Sequence, residues 1–324
     1  MGPAEPLWSA PIVQSVPPID PAAAIRPGSL RAWNVAARPR TLLVALSPVL
    51  VGAALAFARA GALNGGVALL VLCCALLMQL ITNLQNDVGY MVRGGDRSGN
   101  RRGLPRATAN GWLGVASVRV AILVLSVLAT GLGVALMTVR GWLVMAIGAA
   151  SLTAALAYMA GPRPIAYTPF GELTVFVFFG LVAVTGTDWM LTGQVDSTTL
   201  LAAGAIGCLA AAALAVNNHR DAQHDRTVGR RTFAALAGAP ASQALYTALL
   251  FTPFVLLPAI ALMAANPWLG LPAILLPAAV RARREFVRCA PGVAFNAVLF
   301  RTFGLELRYA LLLSAGAVAG RLLH

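Results

Sequence analysis

Long apolar runs recur along this 324-residue chain, and they restrict its fold more than any other feature of the sequence. An apolar run of about 18 residues or more can cross the ~30 Å hydrocarbon core of a bilayer as a helix. Lipid cannot satisfy open backbone groups, and the runs lack the alternation of barrel strands. The sequence therefore predicts an all-α polytopic membrane protein with about nine spans, at 41–58, 66–86, 114–138, 141–160, 170–190, 199–217, 243–264, 267–280 and 303–320.

The charge of the chain agrees with a membrane protein. Charged residues make up 11% of the sequence, against about 25% in a typical soluble domain. The net charge of +13 comes entirely from 24 arginines, since there is no lysine. Nucleic-acid-binding proteins are also basic, but membrane proteins use basic loops to set their orientation, so no nucleic-acid partner is predicted.

The arginines concentrate on one side of the predicted topology. Twenty fall with the N-terminal tail or the connections after spans 2, 4, 6 and 8, whereas only Arg59, Arg140 and Arg321 fall on the other side. Because basic loops stay in the cytoplasm, the N-terminus and these connections are predicted to be cytoplasmic. An odd number of spans then places the C-terminus outside a plasma membrane of the bacterial inner-membrane type.

The chain divides into a tail and one membrane domain. Residues 1–33 are rich in Pro and Ala and lack hydrophobic periodicity, so a disordered N-terminal tail is predicted there. The membrane domain is predicted to cover residues 34–324. Spans 1–4 and 5–8 are possible halves of that domain, with span 9 added to them.

Polar residues stand where the second span ends, in the stretch NLQNDVGYMVRGGD at 83–96. Asn83, Asp87 and Tyr90 are spaced i, i+4 and i+7, so they share one face of a continuing helix. Asn86 lies one step round the helix, and Asp96 follows in the cytoplasmic connection. This stretch is the first polar cluster.

The sixth span ends in the same way, in the stretch NNHRDAQHDRTVGRRT at 217–232. Asn217, Asp221 and Asp225 are spaced i, i+4 and i+8, again on one helix face. Only eleven residues of the chain are acidic, and four of them lie in these two equivalent connections. Ionisable groups in membrane helices generally mark function, although solvated charges that only set topology are the alternative.

Carboxylates and amides beside arginines suit one kind of ligand. Mg²⁺ prefers hard oxygen donors and is usually held by one or two carboxylates together with phosphate oxygens of the substrate. The fork-shaped donors of arginine match phosphate oxygens. Two facing helix ends that carry Asp are therefore predicted to hold Mg²⁺ and a diphosphate, with an isoprenoid tail in the membrane.

Four stretches carry a likeness to a known family: ARPRTLLVALSPVLVGAALA at 37–56, NDVGYMVRGGD and GLPRATANG within 86–111, GPRPIAYTPFGELTVFVFFGLVAVTG at 161–186, and NNHRDAQHDRTVGRRTFA at 217–234. They resemble the UbiA superfamily of intramembrane prenyltransferases, and within it the branch that prenylates 1,4-dihydroxy-2-naphthoate. The resemblance implies nine helices around a central cavity. It also implies Mg²⁺-dependent transfer of a polyprenyl group from its diphosphate to an aromatic ring in menaquinone biosynthesis, with 4-hydroxybenzoate or a similar acceptor as the alternative.

The resemblance also implies roles for residues of both clusters and of the cytoplasmic connections. The Mg²⁺ ligands would be Asn83, Asn86, Asp87, Asp96, Asn217, Asp221 and Asp225. The diphosphate would be bound by Arg97, Arg101, Arg106, Arg220, Arg230 and Tyr90. The catalytic residues would be Asp87, Asp221, Asp225 and Arg163. Arg163 is a candidate for holding the carboxylate of the acceptor, and a cytoplasmic anchor is its other interpretation.

Tyr90 departs from the family pattern, because it stands where the first motif has its second Asp. A phenol with a pKa near 10 is a poor Mg²⁺ ligand at neutral pH. We expect Asp96 to replace the lost carboxylate, an expectation that fails if Asp96→Ala keeps full activity and Mg²⁺ dependence. Otherwise Tyr90 hydrogen-bonds the diphosphate, or the site has drifted to another substrate or to inactivity.

Two other functional classes stay open. A transporter built from repeats would bind its substrate near the bilayer midplane, whereas the polar residues here gather at one edge. A non-catalytic derivative of the fold is the remaining class. Glu172, at the start of the fifth span, suits the positive end of a helix dipole, and a role in positioning substrate is its alternative.

Overall fold

The structure is a computed structural model, and it describes residues 25–95, 103–290 and 292–323. Every regular element in those ranges is helical. The α-helices are α1 Leu30–Ala37, α2 Leu42–Ala60, α3 Gly65–Val92, α4 Val115–Arg140, α5 Leu143–Ala157, α6 Gly171–Val175, α7 Gly186–Thr192, α8 Ser197–Thr227, α9 Phe233–Met263, α10 Leu276–Arg288 and α11 Phe295–Leu323. Short 3₁₀ helices cover Pro39–Thr41, Ile165–Tyr167 and Pro267–Leu275, and a π segment at Phe176–Thr185 joins α6 to α7.

Seven segments of the described ranges are long and apolar enough to cross a membrane, which confirms an all-helical polytopic membrane protein. They are Leu30–Ala60, Gly65–Val92, Val115–Arg140, Gly171–Thr192, Ser197–Thr227, Phe233–Met263 and Phe295–Leu323. The predicted fourth span is the 15-residue α5, and the predicted eighth span is divided between a 3₁₀ helix and α10. Pro272 lies in that 3₁₀ helix and has no N–H for a regular α-helix. The count of nine spans stays a prediction.

The predicted N-terminal tail overlaps the first helix. Residues 1–24 lie outside the described residues, whereas α1 already begins at Leu30. The Ser29 side chain caps this helix by accepting a hydrogen bond from Ala32 N at 3.3 Å. Ala32 and Ala36 are fully buried, so α1 packs on the membrane domain.

Helix α8 is the central helix of the bundle. It begins after Asp196, whose carboxylate accepts a hydrogen bond from Thr199 N at 2.7 Å, and it continues for 31 residues. Every residue from 205 to 213 is buried, and most of them are alanine or glycine. Small residues let helices approach closely in membranes. As a result α8 packs against α2, α9, α11 and the π segment.

A close contact joins α8 to the π segment at two glycines. A Cβ atom on Gly180 would lie 2.6 Å from the Ala203 carbonyl oxygen. A Cβ atom on Gly207 would lie 2.7 Å from the Phe176 carbonyl oxygen. Neither position leaves room for a side chain against the facing backbone. This contact therefore fixes the helix of the second polar cluster against the predicted fifth span.

The first polar cluster lies at the end of α3. Ile81, Leu84 and Val88 of this helix form an apolar cluster with α1 and with Trp112 from the connection that follows. The Trp112 carbonyl also accepts a hydrogen bond from Gly28 N at 2.8 Å. The described part of this connection is thereby held against the last turns of α3.

The opposite end of the bundle contains a separate ionic network. Arg59 at the end of α2 binds Asp188 at 2.8 Å and Asp196 at 3.0 Å, and it donates to Thr199 Oγ1 at 3.1 Å. Arg59 also lines a cavity of about 530 Å³ together with Arg321. Since α8 starts at this end and finishes at the second polar cluster, the network is far from both clusters.

Candidate active site

The ends of α3 and α8 meet at three hydrogen-bonded side chains, the Tyr90–Asp225–Arg230 triad. Tyr90 Oη donates to Asp225 Oδ1 at 3.3 Å and accepts from Arg230 Nη1 at 2.9 Å. Arg230 Nη1 also donates to Asp225 Oδ1 at 2.8 Å. All three side chains are buried. The structure therefore brings the two polar clusters of the sequence into direct contact.

Contacts with cations and backbone fix the ring of Tyr90. The Cζ atoms of Arg106 and Arg230 lie 3.9 and 5.2 Å from its centroid, within cation–π range. A Cβ atom on Gly95 would lie 2.5 Å from Tyr90 Cε1, so only glycine fits there. His224 Nε2 lies 2.8 Å from the Gly95 carbonyl, which can only accept, so this nitrogen is the one that carries the hydrogen. Tyr90 is thus a junction between the two clusters.

The other carboxylate of α8 is paired with its own arginine. Arg220 donates to Asp221 through Nε at 2.8 Å and through Nη2 at 2.7 Å. Its Nη1 donates to Asn296 Oδ1 of α11 at 2.6 Å. Thr232 Oγ1 approaches the second oxygen of Asp225 at 3.4 Å. Both carboxylates of the second cluster are therefore neutralised by buried guanidinium groups.

Asp87 of the first cluster anchors a turn. Its carboxylate accepts hydrogen bonds from Ala107 N at 2.9 Å and from Thr108 N at 2.8 Å. The Thr108 hydroxyl adds a third bond at 2.6 Å. Asp87 is fully buried. Its carboxylate therefore holds the connection after α3 against the helix.

Asn83 lies among structural contacts as well. Its Nδ2 donates to the Ala37 carbonyl at 2.7 Å and to Thr41 Oγ1 at 2.8 Å. Its Oδ1 accepts from Gln79 at 2.9 Å. These bonds tie α3 to the junction between α1 and α2. Helical spacing alone does not reveal them, because the partners lie 42 and 46 residues away.

The remaining predicted site residues differ in their surroundings. Asn86 and Asn217 are half-buried; the Asn217 amide approaches only the Ala213 carbonyl of its own helix, at 3.5 Å, and the Asn86 side chain bonds to no residue that the structure describes. Arg106 Nη1 donates to the Asn86 backbone carbonyl. Arg163 is exposed and makes no hydrogen bond or ion pair within the described ranges. Three predicted residues lie outside the described residues: Asp96, Arg97 and Arg101.

A further buried pair adjoins α8. Glu172 in the first turn of α6 is 6% exposed, and its Oε1 accepts from Asn218 Nδ2 at 2.9 Å. Glu172 was a candidate from the sequence, whereas Asn218 was not. Two features of the sequence could have indicated this pair. Acidic residues are rare in the chain, and Asn218 is the second asparagine of the stretch at 217–232.

Burial controls the ionisation of the tyrosines that surround Arg230 outside the membrane-spanning helices. Burial raises the pKa of Tyr158 and of Tyr167 above the usual value, so both phenols are neutral at physiological pH. Desolvation works to lower the pKa of Arg230, but its interactions with Tyr90, Asp225 and Tyr158 outweigh it, so that pKa is raised. Arg230 therefore stays cationic.

Comparison with known proteins connects this geometry to a family. Residues 45–303 match the UbiA prenyltransferase family. The chain is 33% identical over 281 residues to the 1,4-dihydroxy-2-naphthoate octaprenyltransferase of Escherichia coli K12, covering 84% of this chain and 90% of that protein. It is 36% identical over 302 residues to the protein of the same name from Mycobacterium tuberculosis, covering 90% of this chain and 98% of that protein.

Solved structures share the fold. A UbiA homolog from Archaeoglobus fulgidus bound to GPP and Mg²⁺ aligns with a TM-score of 0.62 and 15% identity, covering 89% of this chain and 99% of that one. The apo structure of a UbiA homolog from Aeropyrum pernix K1 aligns with a TM-score of 0.64 and 16% identity, covering 86% of this chain and 97% of that one.

Proposed function

We propose that this chain, which belongs to the UbiA prenyltransferase family, transfers a polyprenyl group from its diphosphate to the ring of 1,4-dihydroxy-2-naphthoate in menaquinone biosynthesis. The chain is a prenyltransferase and an integral membrane protein. One observation carries the assignment of the site. Two polar clusters that are far apart in sequence meet in the Tyr90–Asp225–Arg230 triad at one end of an apolar bundle.

Arginines of this site bind the diphosphate of the donor. Arg106 and Arg230 both approach the ring of Tyr90, and Arg220 lies at the neighbouring carboxylate of α8. Guanidinium groups match phosphate oxygens in pairs and offset the charge that develops on a departing diphosphate. Arg230 exchanges its bond with Asp225 for bonds to the donor when the donor enters.

The second cluster has the chemistry of a Mg²⁺ site. No group of three or more His, Cys, Asp or Glu side chains lies together for metal binding within the described residues. Asp221, Asp225 and Asn217 nevertheless offer oxygen donors on one face of α8, and Mg²⁺ combines one or two carboxylates with phosphate oxygens. Both carboxylates are paired with arginines, so Asp225 becomes available to a cation when the donor takes over Arg230. Bound Mg²⁺ would supply further positive charge at the diphosphate.

The reaction requires a dry site. The allylic carbon–oxygen bond breaks with its electron pair on the diphosphate, and a ring carbon of the acceptor forms the new carbon–carbon bond. The acceptor's carboxylate leaves that carbon as carbon dioxide. Water would capture the allylic cation, so the packed helix ends around Tyr90 must exclude it. Arg163 binds the acceptor's carboxylate before it is lost, from its exposed position on the same side of the membrane.

The site faces the cytoplasm in this proposal, because twenty arginines lie on its side of the membrane. Single cysteines placed in a cysteine-free variant test the orientation. We expect an impermeant thiol reagent to label Arg163→Cys only from the cytoplasmic side and Gln194→Cys only from the outside. The opposite pattern would reverse the topology.

Prenyl transfer by purified protein in lipid is the decisive experiment. Octaprenyl diphosphate would be offered with 1,4-dihydroxy-2-naphthoate and with 4-hydroxybenzoate, in Mg²⁺ and in chelator. We expect Mg²⁺-dependent product from the naphthoate alone and none from Asp225→Asn. Product from hydroxybenzoate alone would move the chain to another branch of the family, and no product from either acceptor would favour a non-catalytic derivative.

A further inference from the structure

Glu172 carries a carboxylate oxygen that nothing in the described structure uses. Asn218 satisfies Oε1, but Oε2 is buried without a hydrogen-bond partner among the residues described. A buried carboxylate oxygen without a donor is costly, and such atoms usually have an explanation in bound water or ligand. Glu172 therefore presents an empty acceptor position inside the protein.

One more polar group, the Tyr158 hydroxyl, lies beside Gly171 and Asn218. If Gly171 carried a Cβ atom, that atom would lie 3.3 Å from Leu214 Cδ2, 3.5 Å from the Tyr158 hydroxyl and 3.9 Å from Asn218 Nδ2. The Tyr158 hydroxyl makes no hydrogen bond to any described residue. Glycine at 171, next to Glu172, thus leaves room for a group the size of a methyl between Leu214, the Tyr158 hydroxyl and the Asn218 amide.

The local backbone is unusual beside this point. The π segment begins at Phe176, four residues after Glu172, and continues for ten residues. π-helical turns are rare and occur frequently at functional sites. This segment packs directly on α8 through Gly180 and Gly207. The same contact therefore fixes Glu172, which precedes the π segment, relative to Asn218 of α8.

Asn218, the hydrogen-bond partner of Glu172, shows where Glu172 lies relative to the triad. Asn218 and Asp225 are spaced i and i+7, so they lie on the same helix face. At 1.5 Å per residue they are roughly 10 Å apart along the axis. In the proposed topology, Asn218 lies nearer the bilayer interior and Asp225 nearer the cytoplasm. An aromatic ring bound at Glu172 would therefore lie between the membrane interior and the diphosphate group.

We propose that Glu172, with Tyr158 and Asn218, forms the subsite that binds a hydroxyl group of the aromatic acceptor. Glu172 Oε2 accepts the hydrogen bond from that hydroxyl, and Asn218 fixes the other oxygen of the carboxylate. A charge-assisted bond of this kind raises the electron density of the ring that must attack the donor. The inference rests on the proposed function, because it presupposes a hydroxylated aromatic acceptor.

The test compares two buried glutamates. Glu172→Gln keeps the size of the side chain but removes its charge. Glu306→Gln is the matched control, because Glu306 of α11 is fully buried and both its oxygens lack a partner among the described residues. We expect Glu172→Gln to raise KM for the dihydroxynaphthoate about 10-fold to 100-fold. KM for octaprenyl diphosphate should change less than about twofold in either variant.

Acceptors that lack one hydroxyl distinguish binding from a structural role. With 1-hydroxy-2-naphthoate and 4-hydroxy-2-naphthoate, the penalty of Glu172→Gln should disappear for the analogue without the hydroxyl that Glu172 binds. The same penalty on all three acceptors, or an unchanged KM for the dihydroxynaphthoate, would overturn the proposal. If Glu172→Gln does not fold, Tyr158→Phe is compared with Tyr246→Phe, whose hydroxyl bonds Thr302 elsewhere.

A binding measurement separates this inference from the proposed function. Equilibrium dialysis of the three naphthoates with wild type and Glu172→Gln needs no turnover. If wild type makes no product but binds the dihydroxynaphthoate more tightly than Glu172→Gln does, the proposed function fails and the subsite stands. If wild type and Glu172→Gln bind it equally, the subsite fails whether or not product forms.

Discussion

Tyr90 stands where the resemblance would put a carboxylate, and the structure bonds its hydroxyl to both a carboxylate and an arginine. Tyr90→Phe keeps the ring between Arg106 and Gly95 but removes both bonds. We expect kcat/KM to fall about tenfold, which corresponds to roughly 1.4 kcal/mol. Tyr246→Phe, in steady-state assays beside it, should retain wild-type activity. An unaffected Tyr90→Phe would mean that the hydroxyl has no part in the site.

Asp87 is expected to act on stability as well as activity. Asp87→Asn replaces one accepting oxygen by an NH₂ group, which cannot accept from Ala107 N, Thr108 N and the Thr108 hydroxyl together. We expect the free energy of unfolding to drop by about 1–3 kcal/mol. Thermal unfolding in detergent without substrate measures this loss. Asn86→Ala is the neighbouring control, and an equal loss in both variants would contradict the anchoring role.

The sequence predicted which residue types gather, but not which partners they take. The spacing of Asn83, Asp87 and Tyr90 correctly placed all three on α3. Their partners lie 42, 21 and 135 residues away, at Thr41, Thr108 and Asp225. Helical periodicity predicts on which face of a helix a side chain lies. The partners of that side chain depend on how distant segments fold around the helix.

At the scale of the element, the contact between the π segment and α8 leads to a prediction about volume. Gly180→Ala puts a methyl group against the backbone of α8, so the two helices must separate. Overpacking of this kind costs about 1–3 kcal/mol, and we expect lower thermal stability and weaker acceptor binding. Gly186→Ala is the control, since nothing lies within 4 Å of its added Cβ. Equal unfolding midpoints for the two variants would show that the contact is not tight.

Apolar runs predicted the long helices well, because length and hydropathy determine whether a segment can span a bilayer. They could not predict the π segment or the 3₁₀ helix at Pro267–Leu275, which differ from α-helix in hydrogen-bond register rather than in composition. The helix α1 was also missed, since Leu30–Ala37 is short and follows a Pro-rich stretch. Its burial depends on contact with α3.

At the scale of the whole molecule, the fold should be independent of metal. Arg220 and Arg230 already neutralise the carboxylates of α8, so removing Mg²⁺ leaves no unpaired charge there. We expect chelator to abolish prenyl transfer while it shifts the unfolding midpoint by less than about 2 °C. Differential scanning fluorimetry in detergent, with and without chelator, measures this. A large loss of stability in chelator would mean that the metal is part of the fold.

The triad also imposes an order on biosynthesis. Tyr90 and Asp225 are separated by 135 residues, so their bond has to wait until α8 has been translated and inserted. At ~5–20 residues per second the ribosome needs roughly 7 to 27 s to cover that distance. During this interval α3 already lies in the bilayer with half of a site. On the proposed function, a nascent chain without α8 has no complete donor site, and the timing of membrane insertion determines when the enzyme first becomes competent.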